Sequence, residues 1–152
     1  MERKTKVNAE SGKYEIVITR DFELPVELLF RAYVEADIVE QWMGTKVLKL
    51  EPKKHGGYHF VTTDPKGNKH GFTGAFHDIV PNKEIKRTFE MENAGFGVQL
   101  ELYEFVRLTE DTSRLNMRVI YESVDKRDQN LKLPFEYGIN MAHARLEEIL
   151  KK

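Results

Sequence analysis

The sequence contains no cysteine. Disulfide bonds, zinc sites with thiolate ligands and cysteine nucleophiles are therefore excluded. The absence of disulfides also agrees with a reducing cytoplasm. At 152 residues the chain has the length of one ordinary domain and can bury a hydrophobic core without covalent cross-links.

Long hydrophobic runs are also missing. No stretch approaches the roughly 18–20 apolar residues that a membrane-spanning helix needs. The chain starts with Met-Glu-Arg-Lys and has no apolar run behind it, which is not the pattern of a signal peptide. We therefore expect a cytoplasmic protein without a membrane span.

Neither sign of charge is in excess, because 24 basic residues are balanced by 25 acidic ones and both signs are mixed along the chain. A nucleic-acid-binding protein usually carries a basic stripe that meets the phosphates. The short basic clusters lie at the two ends, at Arg3, Lys4, Lys6 and Lys151–Lys152, and we interpret them as solvated termini. No nucleic-acid partner is expected.

Motifs for common chemistry are absent as well. The sequence has no Gly-x-Gly-x-x-Gly, no phosphate-binding loop and no Gly-x-Ser-x-Gly. Its histidines lack metal-site spacing, because His55 and His59 flank a Gly-Gly pair and His70 and His77 lie on opposite faces of one strand. The sequence predicts no metal site, no cofactor and no catalytic residue.

What is present is a change of hydrophobic period along the chain. Residues 14–20 are β-branched and aromatic and predict a strand. After Pro25, apolar residues recur at helical spacing over 26–33, and a second short helix is predicted over 35–42. From there the period becomes two, and turn-forming residues separate strands predicted at 46–51, 57–63, 70–79, 84–91, 97–108 and 113–122.

The C-terminal part returns to helical spacing. A short helical turn is predicted near 124–131 and the main helix from about 134 to 150, with Pro134 at its start. This order predicts an α+β helix-grip fold, in which a curved antiparallel sheet of six to seven strands closes over a long helix and leaves a cavity. We assign residues 1–12 to a flexible N-terminal segment and 13–152 to a single helix-grip domain.

Several short motifs in this order resemble the family named after the activator of Hsp90 ATPase, within the Bet v 1-like, START-related (SRPBCC) superfamily. The resemblance covers roughly residues 14–150 and rests on the following segments: Thr19-Arg20-Asp21-Phe22, Gln41-Trp42-Met43-Gly44, Gly56-Gly57-Tyr58-His59-Phe60, Phe72-Thr73-Gly74-Ala75-Phe76, Arg87-Thr88-Phe89-Glu90 and Tyr121-Glu122-Ser123. It implies a helix-grip fold with an internal cavity. Superfamily members bind lipids, sterols or hormones, some catalyse cyclisation or hydrolysis, and one branch stimulates a chaperone.

The chain departs from the family pattern at two places. It has Pro134-Phe135 where relatives often carry Gly-Met before the final helix. It has Ile139 where they carry Met or Trp after the helix glycine. Because these positions are expected to face the cavity, we predict a narrowed or reshaped pocket, and no ligand carries over from a relative.

Aromatic residues on the inner face of the predicted sheet form the candidate binding site, although each of them also fits a plain hydrophobic core. Alternation places Tyr58 with Phe60, and Phe72 with Phe76, on one face. In strand 97–108 either Val98, Leu100 and Leu102 or Tyr103 and Phe105 face inward, unless a bulge reconciles them. The candidate cavity-lining residues are Trp42, Tyr58, Phe60, Phe72, Phe76, Arg87, Phe89, Tyr103, Met117, Phe135, Ile139 and His143.

Three members of this set have two interpretations. Strict alternation turns Arg87 inward, where it would pair with Asp78, His59 or an acidic ligand group; otherwise it lies at a strand edge and reaches solvent. Trp42 either plugs the end of the core or gates the cavity. His143 either packs within the fold or acts as an acid–base group.

The function that these features predict is the binding of a small hydrophobic or amphipathic molecule by a monomer or weak homodimer. One alternative is an enzyme in the same cavity, which requires His59, Arg87, Tyr103 and His143 to converge. The other is a chaperone-regulating interaction module, which requires a large exposed apolar patch.

Overall fold

The computed structural model describes residues 5–132 and 135–151. Its elements are β1 (Lys6–Asn8), β2 (Glu15–Phe22), α1 (Val26–Val34), α2 (Ala36–Met43), β3 (Lys46–Leu50), β4 (Gly57–Thr63), β5 (Lys69–Val80), β6 (Glu84–Met91), β7 (Val98–Arg107), β8 (Ser113–Ile120), α3 (Val124–Leu131) and α4 (Phe135–Leu150).

All eight strands form one antiparallel sheet in the order β1-β2-β8-β7-β6-β5-β4-β3. Strands β3 to β8 are a meander in which each strand pairs with the next, as short turns require. Helices α1 and α2 carry the chain from β2 to β3, at the other edge of the sheet. The predicted helix-grip fold is confirmed, and the strand count is slightly higher than predicted.

The additional strand is β1, in the segment that the sequence predicted to be loose. Lys6 pairs with Thr19 and Asn8 with Val17, and Thr5 just before the strand is buried. The segment is polar and lacks the alternating apolar pattern from which the other strands were predicted. An edge strand can form without that pattern, because it needs only backbone donors and acceptors to pair with its neighbour. Arg3 and Lys4 lie outside the described residues.

The core lies on the concave face of the sheet. Strand β2 alternates strictly, so Ile16, Ile18, Arg20 and Phe22 are all buried. Strand β7 alternates without a register shift and turns Glu101, Tyr103 and Phe105 inward, which decides its orientation and removes the need for a bulge there. Within the described residues, no helix is long and apolar enough to cross a bilayer.

The entry into the C-terminal helices is fixed by polar contacts. The hydroxyl oxygen of Ser123 accepts a hydrogen bond from the backbone N–H of Lys126 at 3.1 Å and so caps the N-terminus of α3. Nη2 of Arg127 donates to Oδ1 of its neighbour Asp128 at 2.9 Å, and Nη1 donates to the carbonyl oxygen of Glu10 at 2.6 Å. This side chain therefore ties α3 to the loop before β2. Helix α4 begins within a residue of the predicted start, and Pro134 lies outside the described residues.

A close approach between β4, β5 and β6 depends on Gly74. The hydroxyl of Tyr58 passes over this glycine and donates to the carbonyl oxygen of Thr88 at 2.5 Å. A Cβ atom at position 74 would lie 2.1 Å from that carbonyl oxygen and 2.5 Å from the Tyr58 hydroxyl. Only glycine leaves room for this hydrogen bond.

We predict that Gly74→Ala lowers the free energy of unfolding by about 2 kcal/mol or more, because it displaces a buried tyrosine and its hydrogen bond. Gly138→Ala is the matched control, since a Cβ on that helical glycine meets nothing within 4 Å. It should stabilise the protein by roughly 0.5–1 kcal/mol through helix propensity. Urea unfolding of both variants checks this, and equal stabilities of Gly74→Ala and wild type would refute it.

Candidate functional site

A first cavity of about 230 Å³ lies between the concave face of the sheet and the C-terminal helices. Its wall consists mainly of apolar side chains, with a few polar groups from β7 and α3. It is lined by Ile18, Phe89, Met91, Phe96, Gly97, Gln99, Glu101, Met117, Val119, Tyr121, Asn130, Phe135 and Ile139. This is the place between sheet and helix at which the sequence predicted a gap.

A second cavity of about 330 Å³ lies between the end of α2 and strands β4 to β6. It is lined by Met43, Thr45, Phe60, Thr62, Phe72, Arg87 and Phe89. Phe89 belongs to the walls of both cavities, and its ring packs against Phe72 with centroids 5.5 Å apart. This half-buried aromatic side chain is therefore a wall residue that the two cavities share.

A buried ion pair lies beside this shared wall. Arg87 on β6 is directly opposite Glu101 on β7, and its Nε donates to Oε1 of Glu101 at 2.9 Å. Both side chains are less than a tenth exposed. Such a pair loses its hydration on folding, so its remaining donors and acceptors need partners.

The neighbouring polar side chains supply most of these partners. The Tyr103 hydroxyl accepts from Nη2 of Arg87 and donates to Oε1 of Glu101, both at 2.8 Å. Gln99 Nε2 donates to the second carboxylate oxygen of Glu101 at 3.0 Å. Glu101 thus accepts hydrogen bonds from three donors.

Arg87 also stacks between aromatic rings. Its guanidinium carbon lies 4.8 Å from the ring centre of Tyr58 and 5.0 Å from that of Tyr103, within cation–π range. Burial alone lowers the pKa of Arg87, but its surroundings, in which Glu101 is the anionic group, outweigh burial and hold the pKa above its usual value. Burial raises the pKa of Tyr103 well above its usual value, so its hydroxyl stays protonated.

The partners of Arg87 differ from those that the sequence suggested. Asp78 and His59 were the internal candidates, but His59 lies on the other face of β4 and bonds Glu92 at 3.1 Å. Glu101 was missed because strand 97–108 had two possible inner faces. Once Tyr103 and Phe105 are inside, alternation places Glu101 beside them, and the strand register completes the pair.

The structure divides the twelve candidate residues into two groups. Seven line the two cavities: Phe60, Phe72, Arg87, Phe89, Met117, Phe135 and Ile139. The other five are in neither wall: Trp42, Tyr58, Phe76, Tyr103 and His143. Within this second group, Tyr58 and Tyr103 hold the guanidinium of Arg87, and Phe76 packs on Tyr58 at 5.4 Å.

Trp42 has the contacts of a core residue. Its Nε1 donates to the carbonyl oxygen of Ala32 at 2.7 Å, and its ring packs edge-on against Tyr33 at 5.2 Å. With 3% of its surface exposed, it joins α2 to α1. These contacts agree with the interpretation of Trp42 as a residue that closes the end of the core, and not with that of a residue that gates the cavity.

His143 belongs to a second polar network, between α4, β2 and the start of β1. Its Nδ1 lies 3.0 Å from the hydroxyl of Thr5, which also accepts from Nη1 of Arg20 at 3.1 Å. Arg20 Nη2 in turn lies 3.5 Å from Glu147 Oε1. The network fixes α4 on the sheet, and His143 does not meet His59, Arg87 and Tyr103 as the enzyme alternative requires.

The remaining histidines make pairwise surface contacts. His70 bonds Asp64 at 3.0 Å, and the rings of His55 and His77 lie 5.8 Å apart. No group of three or more acidic or histidine side chains in the described ranges is arranged to hold a metal ion.

Comparison with known proteins gives a family and a fold. The family model described as "Activator of Hsp90 ATPase homolog 1-like protein" matches residues 23–151. No curated protein matches the chain. The sequence is 21% identical to a protein from Rhodobacter sphaeroides whose crystal structure superposes with a TM-score of 0.87, covering 97% of this chain and 98% of that one.

Two further solved structures are similar. A protein from Arthrobacter aurescens, solved by NMR, is 16% identical with a TM-score of 0.87 and covers 96% of this chain and 91% of its own. A crystallised protein from Mycobacterium smegmatis is 18% identical with a TM-score of 0.85 and covers 95% of both chains. At these identities the similarity establishes the shared fold.

The buried position of His143 makes stability depend on pH. Burial, and secondarily the charge of Arg20, lower the pKa of His143 to about 3 from its ordinary 6.5. Between pH 3 and pH 6.5 the unfolded chain binds a proton at His143 that the folded chain does not. The contribution of His143 to the free energy of unfolding is therefore complete above pH 6.5 and is lost as the pH falls. At roughly 1.4 kcal/mol per pH unit, it amounts to on the order of 4–5 kcal/mol.

We expect His143→Asn, which keeps a polar group near Thr5 but cannot titrate, to reduce the loss of stability between pH 7 and pH 4.5 by about 2–3 kcal/mol. Urea unfolding at several pH values measures this slope. His77→Asn, at an exposed position, should retain the slope of the wild type. If His143→Asn also retained it, His143 would not be the buried neutral group described above.

Proposed function

Since the chain belongs to the activator of Hsp90 ATPase homologue 1-like family, we propose that it binds a small hydrophobic or amphipathic molecule between its curved sheet and its C-terminal helix. The observation that carries this proposal is the pair of mainly apolar cavities that Phe89 lines.

The sizes of the cavities support the proposal. Small-molecule sites usually enclose about 300–1,000 Å³. The second cavity, of about 330 Å³, falls inside this range, and the first, of about 230 Å³, lies just below it. Because Phe89 lines both cavities, we propose that a ligand larger than either one displaces this side chain and occupies both.

The chemistry of the walls supports the same proposal. Ligand sites are mostly apolar, with a few placed polar groups that orient the bound molecule. Aromatic and aliphatic side chains make up most of both walls, while Arg87 contributes to one cavity and Glu101 to the other. An apolar molecule with one polar group matches this distribution better than a sugar or a nucleotide does.

The first test is native mass spectrometry of the freshly purified protein, followed by thermal denaturation with fatty acids, sterols, flavonoids and aromatic acids. A ligand present at about 100 times its Kd stabilises the folded state by roughly 2.7 kcal/mol, which raises the Tm by several degrees. We expect either a co-purified mass or such a rise with one class of compound. An empty protein that no class stabilises would contradict the proposal.

A matched pair of variants on α4 locates the binding. Ile139 lines the first cavity, so Ile139→Trp should fill it and reduce the ligand-induced rise in Tm for a molecule that extends from the second cavity into the first. Met141, 45% exposed on the same helix, is the control position, and Met141→Trp should leave the rise intact. Each variant is compared with itself without ligand, so a change in intrinsic stability does not affect the result. Equal responses of the two variants would place binding elsewhere.

A further inference from the structure

The hydrogen bonds of Arg87 leave one nitrogen of its guanidinium over. Nε donates to Glu101 and Nη2 donates to Tyr103. Among the described residues, no group accepts a hydrogen bond from Nη1. A guanidinium has five N–H groups and no acceptor, so each bond that it lacks inside a protein must be supplied by water or a ligand.

The unpaired nitrogen has open space next to it. In the described ranges, Arg20 Nε is the side-chain polar atom that is both fully enclosed and without a partner. Nη1 of Arg87 is therefore not enclosed, although the residue as a whole is only 3% exposed. Arg87 belongs to the wall of the second cavity, together with Phe60, Phe72, Phe89 and Met43, so this cavity is the open space beside its remaining donor.

The other two polar side chains in that wall bond each other. The hydroxyl of Thr62 donates to that of Thr45 at 2.9 Å. Arg87 is consequently the charged donor that the second cavity presents to a bound molecule. A molecule placed there gains most if it offers an oxygen acceptor to Nη1 and apolar surface to the rest of the wall.

The charge of the site decides which kind of oxygen it accepts. Glu101 already neutralises Arg87 at 2.9 Å and is itself held by three donors. A ligand carboxylate would add a negative charge that no further cation in this wall balances, and an unbalanced buried charge is strongly unfavourable. A neutral oxygen takes the hydrogen bond without that cost.

We infer that the ligand carries a neutral hydrogen-bond acceptor, such as a ketone, ester or hydroxyl oxygen, which binds Nη1 of Arg87 in the second cavity, and that the site discriminates against carboxylates. The inference rests on the proposed function and specifies the class of molecule that the same interior accepts.

Three probes of nearly the same shape separate the possibilities. 2-Acetylnaphthalene carries a neutral acceptor, 2-isopropenylnaphthalene has a methylene group in place of the oxygen, and 2-naphthoate carries a carboxylate. All three share the same apolar body, so differences in Kd report on the polar group. We expect the ketone to bind at least about tenfold more tightly than each of the other two, which is the order of a hydrogen bond to a charged donor.

Arg87→Lys tests whether Arg87 makes this choice. A lysine keeps one charged nitrogen that can pair with Glu101 but loses the planar fork that offers a second one. For the Arg87→Lys variant, we expect the Kd of the alkene to exceed that of the ketone by about twofold or less. Arg118→Lys is the control, since Arg118 is exposed on the outer face of the sheet and pairs with Glu15; it should keep the tenfold preference.

A measurement on the wild type covers the case in which Arg87→Lys does not fold. The carbonyl stretching band of 2-acetylnaphthalene moves to lower frequency when the oxygen accepts a hydrogen bond. We expect the protein-bound probe to absorb at lower frequency than the same probe in hexane. A band at the hexane position would overturn the inference, because the ketone would then lack the donor.

The outcomes distinguish the two proposals. If the alkene or the carboxylate binds as tightly as the ketone, the protein still binds a small apolar molecule, and only the choice of a neutral acceptor is wrong. If none of the three probes binds, and no compound class changes the Tm, then the proposed function itself fails.

Discussion

The interior of this protein is organised around one buried ion pair. Arg87 and Glu101 lie opposite each other on β6 and β7, so the sheet register itself brings the two charges together. Because both side chains are less than a tenth exposed, the surrounding side chains must supply most of the missing hydrogen bonds. The Tyr103 hydroxyl bonds both members of the pair, Gln99 donates to the second carboxylate oxygen of Glu101, and the ring of Tyr58 lies over the guanidinium of Arg87.

Other parts of the fold follow from that requirement. Tyr58 can cover Arg87 only because Gly74 leaves room for its hydroxyl to reach the backbone of β6. Tyr103 is in turn packed against Tyr33 of α1 at 5.2 Å, so the first helix is positioned by the same cluster. The side chains that pack around Arg87 and Glu101 are thereby held in place. The two cavities that Phe89 lines remain beside this cluster, and we propose them as the binding site.

The local elements were predictable from the sequence because their signals are local. The period-two pattern and the turn residues gave β4 and β6 with their observed bounds, and helical spacing gave α3. Phe135 and Ile139 were expected at the cavity from their departure from the family pattern, and they line the first cavity. Glu101 could not be identified as the partner of Arg87, because that pairing depends on the register between strands and not on the sequence of either one.

Two other features could not be predicted for the same reason. Strand β1 is polar and short, and it exists because β2 offers an edge with which it can pair. His143 contacts Thr5, which is 138 positions away in the sequence. Its position in a packed network rather than beside the cavity therefore depends on the tertiary structure and could not be predicted from local sequence. Sequence patterns identify which residues turn inward, but not which of them meet.

The central claim is that Arg87 donates a hydrogen bond to a ligand, and that the ion pair determines where its neighbouring side chains lie without adding to the stability of the fold. The most direct measurement is the stability of the triple variant Arg87→Met, Glu101→Leu, Tyr103→Phe, which removes both charges and the bridging hydroxyl together. Replacing a buried ion pair with apolar residues of similar size is often neutral or stabilising by about 1–4 kcal/mol. We predict a free energy of unfolding equal to or above that of the wild type, and a Kd for 2-acetylnaphthalene raised about tenfold, to that of 2-isopropenylnaphthalene. A variant destabilised by several kcal/mol, or one that still responds to ligand as the wild type does, would contradict the account.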